Sequence, residues 1–457
     1  MSDQELPGRE STSLRIWQLA WPTITSYLLF TLVGFMHIKI ASGLGTQAVA
    51  AVTTGHRIFF LIQAVLMGIS VAATAIISRA WGANDIRGAE MASWTSLGVS
   101  MILAAILAIP VLLIPETLAG LFGLDDATTK EAARFIFWFG IFNIATAVNM
   151  MLQTALRATG DVITPLYFLC VSSMLNLLFG YSLAYGWGPL PALGVSGVAL
   201  GGGSAALIVT LTFATFWWKG HFGLKPIKKL AFDRAAVRQL AVIGAPSMLE
   251  QGIIQVAFLL FFSIVAQYGN VPYAAYGIGI SIVSFSIVVG FGFGIAAATL
   301  VGQQLGAGRP DQAIAAGWRA LRMGVGAMSL FSLILAWFAR DLAQFMIDDP
   351  DVIDYTAAFI YIIALAQPFM AVEMALAGAL RGAGDTRFPL LTTFCGLLLG
   401  RLLPAWLFYK LGLSVYWIFG VMLFDYILKA TMMIWYYKSH KWVNVNVAEP
   451  QVNSTIA

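Results

Sequence analysis

The stretch ALRGAGDTRFPL, Ala379–Leu390, has a near copy, ALRATGDVITPL, at Ala155–Leu166, 224 residues earlier. Extended upstream, Ala147–Leu166 and Ala371–Leu390 agree at 11 of 20 positions without a gap. The same offset of 224 pairs Pro22 with Pro246, Gly45 with Gly269, Gly68 with Gly292, and Gly82 and Ala83 with Gly306 and Ala307. One shift that works along so much of the chain marks an internal duplication, and the unit duplicated is half the protein.

Each half is a set of membrane spans. Of the 457 residues, 59% are hydrophobic and 11% charged, against roughly 25% charged in a soluble domain. Apolar runs of about 20 residues, enough to cross a hydrocarbon core roughly 30 Å thick, lie near 16–41, 57–79, 93–115, 134–156, 163–186 and 193–217. A second set lies near 240–267, 278–303, 321–339, 354–380, 387–409 and 413–436. The expected fold is an all-α integral membrane protein of twelve transmembrane helices in two six-helix bundles. Six is even, so both copies enter from the same side and form parallel repeats around a central cleft. The expected boundaries are 1–218 for the N-terminal lobe, 219–238 for a basic cytoplasmic linker and 239–457 for the C-terminal lobe.

Lys and Arg collect in the loops on the side of the N-terminus, from Arg79 and Arg87 to Lys438 and Lys441, which predicts that both termini are cytoplasmic. The first apolar run is longer than a signal-peptide core and lacks an A-x-A cleavage pattern, so it is expected to stay as a span. Cys170 and Cys395 fall inside spans 5 and 11, as packing residues rather than a disulfide or thiolate metal framework. No Walker A motif, no His/Cys cluster at metal spacing and no interleaved basic and aromatic pattern is present. Those absences exclude ATP hydrolysis, metal chemistry and nucleic-acid binding as sequence readings, leaving a non-enzyme without cofactor that is driven by an ion gradient.

The repeated stretch also has a local reading. Arg157 and Arg381 end spans 4 and 10, where a cation suits the helix dipole and the interface. Gly160 and Gly384 then take a left-handed stop. Asp161 and Asp385 cap the next helix, with Pro165 and Pro389 in its first turn. Together with Pro22 and Pro246 these are expected to be hinge and cap residues.

The duplicated stretch, GPLPALGVSGVAL at 188–200, SRAWGAND at 78–85, GQQLGAG at 302–308 and GRLLPAW at 400–406 together resemble the multidrug and toxic compound extrusion (MATE) family of secondary transporters. The likeness spans nearly the whole chain. It implies a monomeric exporter of a bacterial inner membrane that moves amphipathic, often cationic organic compounds by proton- or sodium-coupled antiport, rocking two lobes about a central site. A flippase for a lipid-linked precursor is the alternative within the wider superfamily, and a channel or receptor without alternating access is the alternative outside it. PSMLEQ at 246–251 matches a pattern of one bacterial branch and retains Glu250. Where the family carries an aspartate in its first helix, this chain has His37, with Lys39 two residues on.

Ionisable groups at membrane depth cost roughly 2.5–3.5 kcal/mol each and mark function by default. Glu250, twelve residues after Arg238, lies about 18 Å in, near the midplane, and leads the candidates for cation coupling. Glu373, His37, Asn149, Gln251 and Lys39 complete the coupling and substrate set. Asn149, the repeat partner of Glu373, also suits interhelical hydrogen bonding. Lys39 also suits snorkelling to the outer interface. His37 could titrate near neutrality where an aspartate would not, and a lone histidine also suits the reading of a satisfied polar group. Arg401 and Asp425, at similar estimated depths, are expected to form a buried structural ion pair, with Lys429 one turn from Asp425 on the same helix face.

Overall fold

The computed structural model describes residues 12–187, 191–226 and 234–445. Part of the expected linker, part of the 188–200 motif and both chain ends lie outside them.

The helices run in order α1 (Thr12–Ser42), α2 (Thr46–Gly82), α3 (Ile86–Leu113), a short α4 (Pro115–Gly120), α5 (Asp126–Ile141), α6 (Asn143–Thr159), α7 (Ile163–Tyr185) and α8 (Val195–Trp218). The second series is α9 (Arg234–Ala266), α10 (Asn270–Gly306), α11 (Pro310–Trp337), a short α12 (Ala339–Met346), α13 (Pro350–Gly382), α14 (Arg387–Cys395), a π-helical turn (Gly396–Leu402), α15 (Leu403–Lys410) and α16 (Val415–Lys438). Among the described residues eleven helices are long and apolar enough to cross a membrane, counting Arg387–Lys410 as one, and α5 with α6 makes a twelfth span bent by 51°. This is the expected twelve-helix protein, and no strand occurs among the described residues.

The duplication survives in the backbone. The starts of α2, α3, α4, α5 and α7 recur at the starts of α10, α11, α12, α13 and α14 with the offset of 224, and α2 and α10 have the same length of 37 residues. Gly45 and Gly269, each just before a long helix, share left-handed φ values of 115° and 103°. The cap reading is visible at both copies of the repeated stretch. Gly160 has φ 101° and Gly384 φ 86°, and Asp161 N donates to Leu156 O at 3.0 Å to close the end of α6. Asp161 Oδ1 accepts from Thr164 N at 3.0 Å, and Asp385 Oδ1 from Phe388 N at 3.3 Å.

Two details depart from the straight spans expected from hydropathy. The fourth span starts at Asp126 and breaks at Phe142, next to buried Asn143, whose Nδ2 donates to Ala104 O on α3 at 2.9 Å. The eleventh span contains a π turn, the signature of one extra residue inserted into a helix.

By compactness the described chain divides into two units, and α1 and α9 each contribute to both. One unit holds α1 through Ile24, Ala257–Ala383 and Leu391–Asn444. Its core is aromatic: Tyr276 packs within 4.6–5.3 Å of the rings of Phe261, Phe262 and Phe359, with Phe419 beyond at 6.3 Å. α10 and α13 cross there so closely that a β-carbon on Gly378 would strike the main chain of Gly294, and one on Gly382 that of Ala298. This is small-residue packing, the usual way membrane helices gain contact when lipid is as apolar as their side chains. The other unit holds Thr25–Val256 and Gly384–Leu390. It has an apolar cluster around Val52, Leu66 and Phe135 and another around Ile76, Phe213 and Ile243. Thr386 donates to Ile243 O at 2.8 Å and so ties the second repeated stretch to α9.

Substituting Gly378→Ala is expected to lower stability by about 1–3 kcal/mol through overpacking, read as a fall in melting temperature in detergent. Gly34→Ala, where nothing lies within 4 Å of the added carbon, should leave it unchanged.

Candidate functional site

Polar side chains within the spans gather in three places. In the unit containing α13 and α16, Asp425 is fully buried, and one of its oxygens, Oδ2, faces Arg401 Nε at 2.8 Å and Nη2 at 2.5 Å. The other, Oδ1, faces Lys429 Nζ at 3.1 Å, one turn along α16. The rings of Phe258, Phe261 and Tyr426 surround the guanidinium at 5.9, 5.8 and 5.4 Å. The π turn makes the approach possible: a β-carbon on Gly396 would collide with Lys429 and Asp425, and one on Gly400 with Asp425. Glu373, half-buried on α13, is a further electrostatic partner of Lys429. The cluster therefore joins two acids and two bases drawn from three spans. The sequence pairing of Arg401, Asp425 and Lys429 omitted Glu373, which had been assigned to coupling alone.

In the other unit a ladder of polar groups runs up one face of α6. Arg157 donates from Nη2 to Gln153 Oε1, and Gln153 donates from Nε2 to Asn149 Oδ1. Asn149 Nδ2 donates to Thr210 Oγ1 on α8 at 3.2 Å, and Thr210 in turn donates to Ala145 O at 3.1 Å. The i, i+4 spacing places all three on one stripe. Asn149 thus joins two helices, and Arg157 satisfies its neighbour as well as ending its helix. Arg381, the counterpart of Arg157, is half-buried at the end of α13.

The third group gathers around His37, which has a second histidine and an amide as neighbours. His37, 3% exposed on α1, has Nε2 2.6 Å from Asn176 Oδ1 on α7 and Nδ1 3.2 Å from Nε2 of His56 on α2. An amide oxygen accepts only, so His37 carries its proton on Nε2, and its bare Nδ1 accepts from the Nε2–H of His56. Phe135 of α5 closes the far side, its ring 5.5 Å from that of His56 in an edge contact. Gly202 on α8 leaves room for the amide, since an added carbon there would come within 3.2 Å of it. Neither His56 nor Asn176 was singled out in the sequence, although His56 lies ten residues into α2 and is one of only four histidines. Lys39, two residues beyond His37, is exposed.

Glu250 is on α9. It is 1% exposed and lies sixteen residues into the 33-residue α9, about 24 Å from its start and so at its middle. Gln251 beside it is half-buried. Pro22 and Pro246 lie inside α1 and α9.

Duplicated apolar spans with buried charge at mid-helix are the build of a membrane transporter. The chain belongs to the MatE family, which it matches over residues 22–182 and 246–407, one copy in each half. It is 27% identical over 452 residues to a probable multidrug resistance protein NorM of Thermotoga maritima, covering 96% of this chain and 95% of that one. It is 24% identical to an FAD transporter of Shewanella oneidensis, covering 81% and 83%. A solved MOP superfamily transporter from Pyrococcus furiosus superposes with a TM-score of 0.89 at 19% identity, covering 96% and 98%. The Vibrio cholerae MATE transporter VcmN in its bent form gives 0.87 at 20%, covering 94% and 97%.

Asp425→Asn leaves two buried cations facing one neutral amide. It is expected to cost about 3–5 kcal/mol, seen as loss of thermal stability and of expressed protein before any change in ion dependence. The same substitution combined with Arg401→Met should recover part of that loss.

Proposed function

We propose that this transporter is an inner-membrane exporter of amphipathic organic compounds, working as a monomer by alternating access of its two halves and driven by exchange for a proton or sodium ion. Membership of the MatE family supports ion-coupled transport, and the relative named as a multidrug resistance protein supports the substrate class. The loop bias in Lys and Arg supports a cytoplasmic location for both termini.

The observation that carries the coupling assignment is Glu250, a buried carboxylate at the middle of α9. A carboxylate there attracts a cation that arrives, a sodium ion or a cationic substrate, and a proton neutralises it. Exclusive occupancy gives antiport. Occupants that differ in affinity between the inward- and outward-facing states move the equilibrium between them. Glu373 supports the same reading as a second carboxylate in a span, half-buried and coupled to Lys429.

Glu250→Gln fixes the neutral state. In proteoliposomes, gradient-driven efflux of organic cations should fall to the level seen without a gradient, while the melting temperature stays close to that of the parent. Imposing proton and sodium gradients separately identifies the driving ion. Normal efflux by the variant under either gradient would remove Glu250 from the mechanism.

A further inference from the structure

We propose that the rim formed by the end of α8 and the segment after it, residues 219–226, binds the headgroup of an anionic phospholipid through Lys219 and Lys225. The leaflet is the one on the side of both chain ends. The inference does not depend on Glu250 or on the mode of transport.

The surface below the rim faces lipid. On α8, Ile208, Leu211 and Trp218 are exposed on one stripe, and so are Tyr167, Val171 and Met174 on α7, which packs beside it. Large apolar side chains exposed along two packed spans mark contact with a membrane. Trp218, 64% exposed as the last residue of α8, gives the level at which that contact ends, because tryptophan collects where hydrocarbon meets headgroups. Trp94 of α3 packs there, its ring 5.7 Å from that of Trp217 and 6.1 Å from that of Trp218.

Lys219 is the next residue, at the level of the phosphates, and the chain then folds back. Gly220 N donates to Trp217 O at 2.9 Å and His221 N to Phe216 O at 3.1 Å, which closes the helix, and Gly220 takes a left-handed φ of 75°. From there the side chains alternate. Phe222 and Leu224 turn inwards, the Phe222 ring 5.3 Å from that of Phe213, while His221 and Lys225 are exposed. Lys225 N donates to Glu90 Oε1 on α3 at 2.9 Å and pins the segment to the first half. The fold returns Lys225 to the helix end, where its Cε lies 3.7 Å from the place a β-carbon on Gly220 would take. Two lysines six residues apart are thus brought to one point of the rim.

The charges around them leave that point cationic. Arg87, exposed in the first turn of α3, adds a third cation. Glu90 is engaged by the main chain of Lys225, and Asp85 caps α3 by accepting from Gly88 N at 2.8 Å. Among the described residues the ion pairs involve neither lysine. An ammonium is a compact point charge that suits a phosphate oxygen. A choline or ethanolamine headgroup brings its own cation to this rim, whereas a glycerol headgroup leaves the charge of the phosphodiester for the lysines. The chemistry selected is therefore a phospholipid with a net negative headgroup.

The test is native mass spectrometry of the full chain in detergent, titrated separately with palmitoyl-oleoyl phosphatidylglycerol and with the phosphatidylcholine of the same acyl chains. The first phosphatidylglycerol should bind more tightly than the first phosphatidylcholine. Lys219→Gln/Lys225→Gln should weaken it by about fivefold for each lysine removed, with phosphatidylcholine binding and the melting temperature as in the parent. Lys438→Gln/Lys441→Gln, which removes two exposed cations just past α16, should change the affinity for neither lipid, and excess inorganic phosphate should displace neither. Equal affinity for the two lipids, an unchanged affinity in the first variant or an equal loss in the second would each overturn the proposal. Displacement by inorganic phosphate would overturn it too, by making the rim a site for the free ion.

Discussion

The second half of the transporter depends on one carboxylate, that of Asp425, held between Arg401 and Lys429 in the interior of a membrane protein. A buried pair is stable only when geometry and extra hydrogen bonds repay desolvation, and here the backbone has been shaped to meet that condition. Gly396 and Gly400 remove the side chains that would keep α16 away. The π turn carries both glycines and Arg401, and three aromatic rings surround the guanidinium. Glu373 offsets the second cation. Remove the carboxylate and the helical irregularity, the glycines and the aromatic wall lose their common purpose.

The first half meets the same constraint with neutral groups. With the offset of 224, His37 corresponds to Phe261 and Asn176 to Gly400, so its polar cluster occupies the equivalent position. Its members are nevertheless two imidazoles and an amide that exchange hydrogen bonds without any formal charge. The α6 ladder likewise satisfies Asn149 and Gln153 through each other, with Arg157 the only ion among the three. Duplication thus preserved the helix lengths and the capping stretches while the chemistry at membrane depth diverged. Small residues at the crossings, Gly202 against Asn176 and Gly400 against Asp425, keep room for a polar side chain in both.

Much of this was legible before any coordinates. The offset of 224 and the apolar runs predict twelve spans in two related halves, and the Gly-Asp pairs at 160–161 and 384–385 predict the stops and caps that are found. Arg401 and Asp425 could be matched because both depths follow from the rise per residue. His56 and Asn176 were missed for a different reason. Their partnership with His37 joins three helices, and only the tight connection between α1 and α2 at Gly45 hints that His37 and His56 lie at similar heights. The bend at Phe142 and the π turn were missed because hydropathy reports that a segment crosses the bilayer and carries no information on how its backbone is wound. A pair of glycines one turn apart, Gly396 and Gly400, was the available trace of the latter.

The two polar clusters ask different things of the membrane. A buried charge needs an opposite charge or hydrogen-bond donors to offset its desolvation, and the cluster at Asp425 meets that need with two cations on one carboxylate. His37, His56 and Asn176 satisfy one another through hydrogen bonds, so this cluster carries no standing cost for charge. That difference explains why one cluster needs the glycines and the irregular helix that bring opposite charges together, while the other needs only the small residue Gly202 beside its amide.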